Sequence, residues 1–307
     1  MNNILKEFID NYNQKGFLLD TISISKEGKQ SITYGNNQRL NLQSCSKTIT
    51  AIAFGIAMKE YSISLDDKAF AYFPEYEKTM SCGTEDITLR DLLRMSSGKK
   101  LRSLRDSPQK EKWRIDWLSW FFESPQNEKA GSIFYYSSLG CYVVGRIIEK
   151  ITNMAINDYL YLRLWKTLDI QKPEWSICPL GHTICAGNIW LTNNDFSKIG
   201  HIIINKGEYK KHRIIDEFYI QKMITDVIPS YDPFLHNDVE CSYGYGYFLW
   251  KGSLDNVFRI WGTGGNFCIL DYIKKLYVTV TAEINLVNKN SDHEIVRGVY
   301  GLIDKYF

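Results

Sequence analysis

This 307-residue sequence lacks a long uncharged hydrophobic run and a strong excess of charge of either sign. Without an apolar run of about 20 residues, it offers no membrane-spanning helix. Lys6 and Glu7 put charge where a secretion signal would be apolar. A net charge of +2, with no basic stripe, argues against a nucleic-acid-binding surface. We therefore expect a soluble, cytoplasmic protein.

Paired cysteines are also missing, since the seven cysteines are odd in number and form no Cys-x-x-Cys motif. A disulfide framework and a zinc site are both disfavoured, and buried free thiols in a reducing compartment are expected. We predict no metal and no other cofactor. The short basic clusters at 99–100 and 210–213 are interpreted as solvated faces.

Hydrophobic periodicity predicts strands near both chain ends and helices between them. The predicted helices are 2–14, 44–58, 88–96, 111–122, 138–152, 155–167, 193–205 and 291–305. The predicted strands are 21–25, 31–35, 243–250, 257–261, 266–271 and 277–282, with a hairpin turn at 26–29. This order predicts an α+β fold, in which helices flank an antiparallel sheet built from both chain ends. Residues 1–60 and 236–307 would form the sheet domain, and 61–235 a helix-rich inserted domain.

The segment 44–58 is typical of a helix with a buried face. Ser44 opens it and Lys47 follows three residues later, so their side chains can meet on one helix face. The first turn offers unpaired N–H groups and the positive end of the helix dipole, which favour an alkoxide-like oxygen. Ser44 is therefore a candidate nucleophile with Lys47 as its base. The alternative is an ordinary N-cap serine beside a lysine that reaches to solvent.

The Ser-x-x-Lys spacing also starts at Ser23, Ser96, Ser97 and Ser107. Ser23 lies in a predicted strand, where positions i and i+3 point to opposite faces. Ser96 and Ser97 lie at the C-terminal end of a predicted helix, where carbonyl groups repel an oxyanion. Ser107 precedes Pro108 in a polar stretch that is interpreted as a surface loop. Only Ser44 opens a buried helix.

Two further segments are candidates for chemistry. Tyr136 precedes the predicted helix 138–152 and could project a phenol into a cleft, whereas Ser138 could simply cap that helix. The glycine-dense segment 261–266 lies in strand-forming sequence. It is either a β-bulge or a strand edge whose N–H groups face a ligand.

The three segments, in this order, resemble the motifs of the penicillin-recognising serine hydrolases, which are Ser-x-x-Lys, Tyr-Ser-Asn and Lys- or His-Thr-Gly. These proteins include the class C β-lactamases, the DD-peptidases and related esterases and amidases. The segments 64–76, 88–98, 191–200 and 243–250 are similar to further stretches of these families. The resemblance covers nearly the whole chain and implies a β-lactamase-like fold.

The resemblance also implies residue roles. Ser44 would attack a carbonyl group to form an acyl-enzyme, and Lys47 would take its proton. Tyr136 would pass a proton to the leaving group and later help to activate water. The backbone N–H groups of Ser44 and Gly265 would hold the oxyanion.

Two positions depart from the family pattern. Ser138 replaces the asparagine of the second motif, so an amide that holds substrate or lysine is missing. Gly262 replaces the lysine or histidine of the third, a cation that helps to hold the substrate carboxylate in the antibiotic-binding members. Thr263 and Gly264 keep the rest of that motif. These changes favour the esterase and amidase branch over penicillin hydrolysis.

Aromatic residues could wall an apolar acyl pocket. The substrate-binding candidates among them are Trp175 and Tyr243, with Trp250 and Trp261 also near the expected cleft. His182 is interpreted as a structural histidine on a loop.

The sequence thus predicts a metal-free serine hydrolase that acts on a small ester or amide. The alternatives are a β-lactamase or DD-peptidase, and a non-catalytic binding or sensing module on the same fold. The sequence predicts no nucleic-acid partner and no membrane span, and it leaves the oligomeric state open.

Overall fold

The computed structural model describes residues 1–26, 31–104, 110–231, 238–285, 288 and 291–307. Its helices, in chain order, are α1 (Asn2–Gln14), α2 (Ser46–Tyr61), α3 (Leu89–Leu93), α4 (Glu111–Ile115), α5 (Trp117–Glu123), α6 (Ser138–Thr152), α7 (Ile156–Leu160), α8 (Asn193–Ile204), α9 (Glu217–Thr225) and α10 (His293–Tyr306). Its strands are β1 (Leu18–Lys26), β2 (Ile32–Gly35), β3 (Leu40–Asn41), β4 (Trp190–Leu191), β5 (Glu208–Tyr209), β6 (His212–Arg213), β7 (Trp250–Lys251), β8 (Val257–Gly262), β9 (Asn266–Asp271) and β10 (Leu276–Glu283).

The central sheet joins the two ends of the chain. Its six strands lie in the order β2-β1-β10-β9-β8-β7, and every neighbouring pair is antiparallel. Successive side chains along a strand point to opposite faces of the sheet. In β9, Cys268 points toward α8, where Gly200 leaves room for the thiol. The neighbouring Phe267 points toward His293 of α10, on the other face. Helices therefore cover both faces of the sheet, as predicted.

Most predicted elements are confirmed, but the predicted strand 243–250 is wrong apart from its last residue, Trp250, which begins β7. Gly244 and Phe248 have φ angles of +131° and +50°, and a strand requires negative φ. The tyrosine–glycine alternation therefore does not mark an extended chain here. Residues 27–29 of the predicted hairpin turn, and Ser107, lie outside the described residues.

The helices in the middle of the chain are shorter and more often interrupted than predicted. The segment 111–122 divides at Asp116, whose side chain caps α5 by accepting the Ser119 N–H at 3.0 Å. The segment 155–167 changes after α7 into a π-helical turn, Tyr161–Trp165. The division into domains at 60 and 236 stays a prediction, and residue 236 lies outside the described residues.

The cluster at 99–100 is not the solvated face that was predicted. Lys99 has no exposed surface, and its Nζ donates a hydrogen bond to the Ser124 carbonyl oxygen at 2.5 Å. Burial lowers the pKa of Lys99 to about 7, although Glu85 opposes the shift. Lys100 is exposed. A local pattern of two lysines cannot show that the chain folds over one of them.

All seven cysteines are free, and six are buried as predicted, whereas Cys82 is exposed. In the part of the chain that is described, no helix combines the length and apolarity needed to cross a bilayer. Across the same residues, no cluster of three or more His, Cys, Asp or Glu side chains is arranged to hold a metal ion.

Candidate active site

Ser44 lies in a tight turn just before α2, whereas the prediction made it the first residue of the helix. Residues Gln43–Cys45 form a single 3-10 turn, in which the Cys45 N–H donates to the Leu42 carbonyl oxygen at 3.1 Å. Gln43 adopts a left-handed φ of +51°, and its N–H donates to Asn41 Oδ1 at 2.9 Å. This conformation leaves Ser44 half-buried at the edge of a cavity of about 360 Å³.

Lys47 lies one turn further, inside α2, with only 1% of its surface exposed. Its Nζ is 2.9 Å from Ser44 Oγ and 2.5 Å from the Ala186 carbonyl oxygen, and it donates to both. It also lies 4.9 Å from the centroid of the Tyr136 ring. The structure therefore brings the predicted nucleophile and the predicted base within hydrogen-bond distance.

Cys45 does not compete with Ser44 as a nucleophile. Its side chain is fully buried, and burial raises the pKa of the thiol well above its ordinary value. Its Sγ donates to the Asn266 carbonyl oxygen at 3.5 Å, between the Ser44 turn and the sheet.

Tyr136 lines the same cavity as Ser44. Aromatic side chains fix its ring, which stacks on Trp250 at 5.7 Å with an interplanar angle of 20° and meets Tyr245 edge-on at 6.2 Å. The Lys47 ammonium contacts the ring as well, in a cation–π interaction. Trp250, which was predicted to wall the pocket, instead supports the ring of Tyr136.

Ser138 also lines the cavity, and it does not cap α6. The capping residue is Ser137, whose Oγ accepts the Gly140 N–H at 3.0 Å. Ser138 N–H donates to the Arg102 carbonyl oxygen at 2.8 Å. Ser138 is half-buried, and its part in substrate binding stays a prediction.

The third predicted motif is a hairpin turn rather than a strand. Strand β8 ends at Gly262, and residues 263–265 connect it to β9. Gly264 and Gly265 have φ angles of +95° and +99°, which glycine adopts readily. Thr263 is exposed and lines the cavity.

Gly265 packs against the core on the side of its Cα hydrogens, and its predicted part in the oxyanion hole stays a prediction. A Cβ added to it would meet Ile295 at 2.9 Å and Ala282 at 3.2 Å, both in the core. The N–H of the neighbouring Gly264 donates to Asp292 Oδ2 at 2.8 Å.

Gly262 is the glycine that abuts the Ser44 turn. A Cβ added there would lie 2.1 Å from the Leu42 carbonyl oxygen and 3.2 Å from the Cys45 nitrogen. Strand β7 pairs with β8 only at Phe258 and Arg259, so β7 does not cover the last residues of β8. The Ser44 turn packs beside those last residues, at Gly262. The backbone of Gly262 therefore packs directly against the turn that carries Ser44.

Asp292 holds the hairpin turn in place. Its Oδ2 accepts the Gly264 N–H at 2.8 Å. Burial raises the pKa of Asp292, and the hydrogen bonds from the turn and from Trp261 partly offset that increase. Nothing in the sequence near Gly264 indicates that Asp292 is its partner, because Asp292 lies 28 residues further along the chain.

Trp175 and Tyr243 do not line the cavity, so the predicted aromatic wall is not formed by them. Trp175 is buried, and its Nε1 donates to the Gly187 carbonyl oxygen at 3.0 Å, behind one wall. Tyr243 is 39% exposed. Among the described residues, the apolar lining comes instead from Leu104, Trp117, Ile184 and Ile284, which the sequence analysis missed.

His182 has the structural surroundings that were expected. Its Nδ1 lies 2.9 Å from Glu149 Oε2, and Glu149 also pairs with Arg146 at 3.2 Å. His182 does not line the cavity that holds Ser44.

The beta-lactamase family model matches residues 23–298. A D-amino acid amidase from Ochrobactrum anthropi has a similar structure, with a TM-score of 0.77 and 16% identity over 99% of this chain and 98% of that one. An octameric penicillin-binding protein homologue from Pyrococcus abyssi has a TM-score of 0.75 and 20% identity over 99% of this chain and 77% of its own. A penicillin-binding protein from Bacillus halodurans has a TM-score of 0.71 and 14% identity over 97% and 99% of the two chains. No curated protein sequence matches this chain.

Proposed function

This chain belongs to the beta-lactamase family, and from that premise we propose that it is a serine hydrolase that cleaves a small ester or amide through an acyl-enzyme on Ser44. One observation carries the proposal. Lys47 Nζ lies 2.9 Å from Ser44 Oγ, in a cavity that Tyr136 also lines. A hydroxyl group needs such a neighbouring base to become a nucleophile near neutral pH.

In the acylation step, Ser44 Oγ bonds to the substrate carbonyl carbon and its proton passes to Lys47 Nζ. The bond between that carbon and the leaving alcohol or amine then breaks, and the leaving group takes the same proton from Lys47 by way of the Tyr136 hydroxyl group. In the second step, the oxygen of a water molecule bonds to the acyl carbon, one water proton passes to Ser44 Oγ as the ester bond to Ser44 breaks, and the acid is released. The net reaction consumes one water for each ester or amide bond.

The developing oxyanion needs two donors near the carbonyl oxygen. The Ser44 N–H is one candidate. The candidates for the second are the backbone N–H of Gly265, as the family resemblance implies, and that of Gly262, which packs against the Ser44 turn. Removing one such donor typically slows an enzyme by about 10²–10³.

The residues around the site favour the esterase and amidase branch. Gly262 provides no cation at the start of the third motif, and the nearby Arg259 is fully buried in an ion pair with Glu240 at 3.1 Å. Rapid penicillin hydrolysis is therefore not expected. The similar structure of a D-amino acid amidase supports the inclusion of amides among the substrates.

A panel of short-chain p-nitrophenyl esters, small linear amides and nitrocefin tests the proposal. We expect ester or amide turnover by the wild type, its loss in Ser44→Ala, and slow or absent nitrocefin turnover. Fast nitrocefin turnover would favour a β-lactamase instead. If the folded wild type turns over none of these compounds, the non-catalytic binding module becomes the better account.

A further inference from the structure

The cavity wall to which Lys47 is hydrogen-bonded contains a strained turn. The Ala186 N–H donates to the Ile184 carbonyl oxygen at 2.7 Å, which closes a three-residue γ-turn around Cys185. Cys185 has a φ of +64°, the sign that defines the classic form of this turn. The classic form is rare and strained, and such a conformation persists only where the surrounding structure holds it.

Two helices hold this turn. From α2, Thr50 Oγ1 donates to the Cys185 carbonyl oxygen at 2.9 Å. From α6, Cys141 Sγ donates to the same oxygen at 3.6 Å, and Gly145 leaves room for the Cys185 thiol, since a Cβ added there would lie 2.1 Å from Cys185 Sγ. Thr50, Cys141 and Cys185 have no exposed surface, so these bonds form away from water and are stronger for it.

The Thr50 hydroxyl group has two possible acceptors and a single proton. The Cys185 carbonyl oxygen lies at 2.9 Å, and the carbonyl oxygen of Ser46, one turn earlier in α2, lies at 3.2 Å. The bond to Ser46 is the local kind that threonine often makes inside a helix. The shorter bond, to Cys185, is the one that connects α2 to the turn.

The turn determines where the Ala186 carbonyl group points. Its oxygen accepts a hydrogen bond from Lys47 Nζ at 2.5 Å, and the same Nζ donates to Ser44 Oγ at 2.9 Å. Thr50 lies three residues after Lys47 on α2, so the helix that carries the base also holds the turn that the base contacts. The bonds form a closed ring that runs from Lys47 to Ala186, along the backbone to Cys185 and back through Thr50 to α2. A closed ring fixes Nζ relative to the wall of the cavity.

We propose that Thr50 is a positioning residue for Lys47. It holds the strained turn at Cys185, and the turn presents the Ala186 carbonyl oxygen to Lys47 Nζ. Thr50 does not line the cavity, so it acts on the reaction only through these groups. This inference rests on the proposed function, since it concerns how the base of the same site is held.

The experiment follows acylation by a p-nitrophenyl ester in a stopped-flow instrument, over a range of ester concentrations, in Thr50→Val. Valine keeps the shape of threonine and lacks the hydroxyl group. We expect the rate constant of acylation to fall by about tenfold to a hundredfold, because a shift of about 1 Å in a catalytic group can cost about 10²-fold. The dissociation constant of the ester should change by less than about twofold, since Thr50 does not contact the substrate.

The amplitude of the burst separates positioning from folding. It counts the folded, active molecules, whereas the rate constant reports the geometry of the site within each of them. A purely structural role for Thr50 would lower the amplitude or the melting temperature and leave the rate constant unchanged. If Thr50→Val does not fold, Thr50→Ala, which also lacks the hydroxyl group and has a smaller side chain, should show the same slow acylation.

Two further variants serve as controls. Thr50→Ser keeps the hydroxyl group, so its rate constant should stay within about threefold of the wild type. Thr225→Val makes the same exchange on α9, where the lost bond runs from an exposed hydroxyl group to the Gln221 carbonyl oxygen at 2.9 Å. Its rate constant should equal that of the wild type.

Two results would overturn the inference: a wild-type rate constant in the variant without the hydroxyl group, or a Thr50→Ser variant as slow as Thr50→Val. Either result leaves the proposed hydrolase intact, because the wild type would still show a burst. Failure of the hydrolase itself would look different, since the wild type would then show no burst and would match Ser44→Ala.

Discussion

Lys47 Nζ donates hydrogen bonds to two oxygen atoms, Ser44 Oγ at 2.9 Å and the Ala186 carbonyl oxygen at 2.5 Å. The second bond ties the lysine to the loop that forms one wall of the cavity. The amine is therefore fixed relative to the hydroxyl before any substrate arrives. Such positioning lowers the barrier for proton transfer.

Replacing Lys47 should therefore remove catalysis without removing the nucleophile. We expect Lys47→Gln to lower kcat/KM for a p-nitrophenyl ester by about 10³ or more, because general-base catalysis contributes about 10²–10⁴ and the amine also positions Ser44. Stopped-flow measurement of the acylation phase checks this. An unchanged acylation rate in a folded Lys47→Gln variant would show that another group takes the proton.

Tyr136→Phe should keep the ring and lose only the hydroxyl group. The stacking on Trp250 at 5.7 Å is retained, so the melting temperature should change little. We expect kcat/KM to fall by about 10²–10³, the usual effect of losing a proton-transfer group. Tyr231→Phe, at a side chain that is 72% exposed, should leave kcat/KM unchanged. If both variants are fully active, Tyr136 carries no proton.

Gly262→Ala should disturb the Ser44 turn directly. The added Cβ would lie 2.1 Å from the Leu42 carbonyl oxygen, so the turn or the strand must shift. We expect a loss of about 1–3 kcal/mol in the free energy of unfolding and a loss of activity of at least tenfold. Gly301→Ala is the control, because nothing lies within 4 Å of its added Cβ. An active and stable Gly262→Ala variant would contradict the close approach of β8 to the Ser44 turn.

Lys99 should make stability depend on pH. Burial lowers its pKa in the folded state to about 7 from the ordinary 10.5, so between these values the unfolded state binds more protons. The free energy of unfolding should therefore rise as the pH increases from 7 toward 10.5, by up to about 1.4 kcal/mol per pH unit.

Urea unfolding at pH 7, 8 and 9 measures this slope. Lys99→Met should have a shallower slope than the wild type, whereas Lys100→Met, at an exposed position, should keep the wild-type slope. Equal slopes in all three proteins would mean that Lys99 keeps its ordinary pKa in the fold.

The sequence was sufficient to predict the sheet from both chain ends and the meeting of Ser44 with Lys47, because both follow from short-range periodicity. It was not sufficient for contacts that join distant segments. The partner of Gly264 is Asp292, and the wall of the cavity includes Ile284 rather than Trp175. Such contacts depend on how the hairpin and loops pack together, which no local pattern records.

The burial of Lys99 was not predicted either. Its Nζ donates to the carbonyl oxygen of Ser124, 25 residues further along the chain, and two adjacent lysines in the sequence do not show that a distant segment covers one of them.

The central claim is that Ser44 becomes covalently acylated, and a fluorophosphonate probe followed by peptide mass spectrometry tests it most directly. We predict one added probe mass on the peptide that contains Ser44 in the wild type, and none in Ser44→Ala. Labelling of folded wild-type protein at another residue, or at none, would contradict the account.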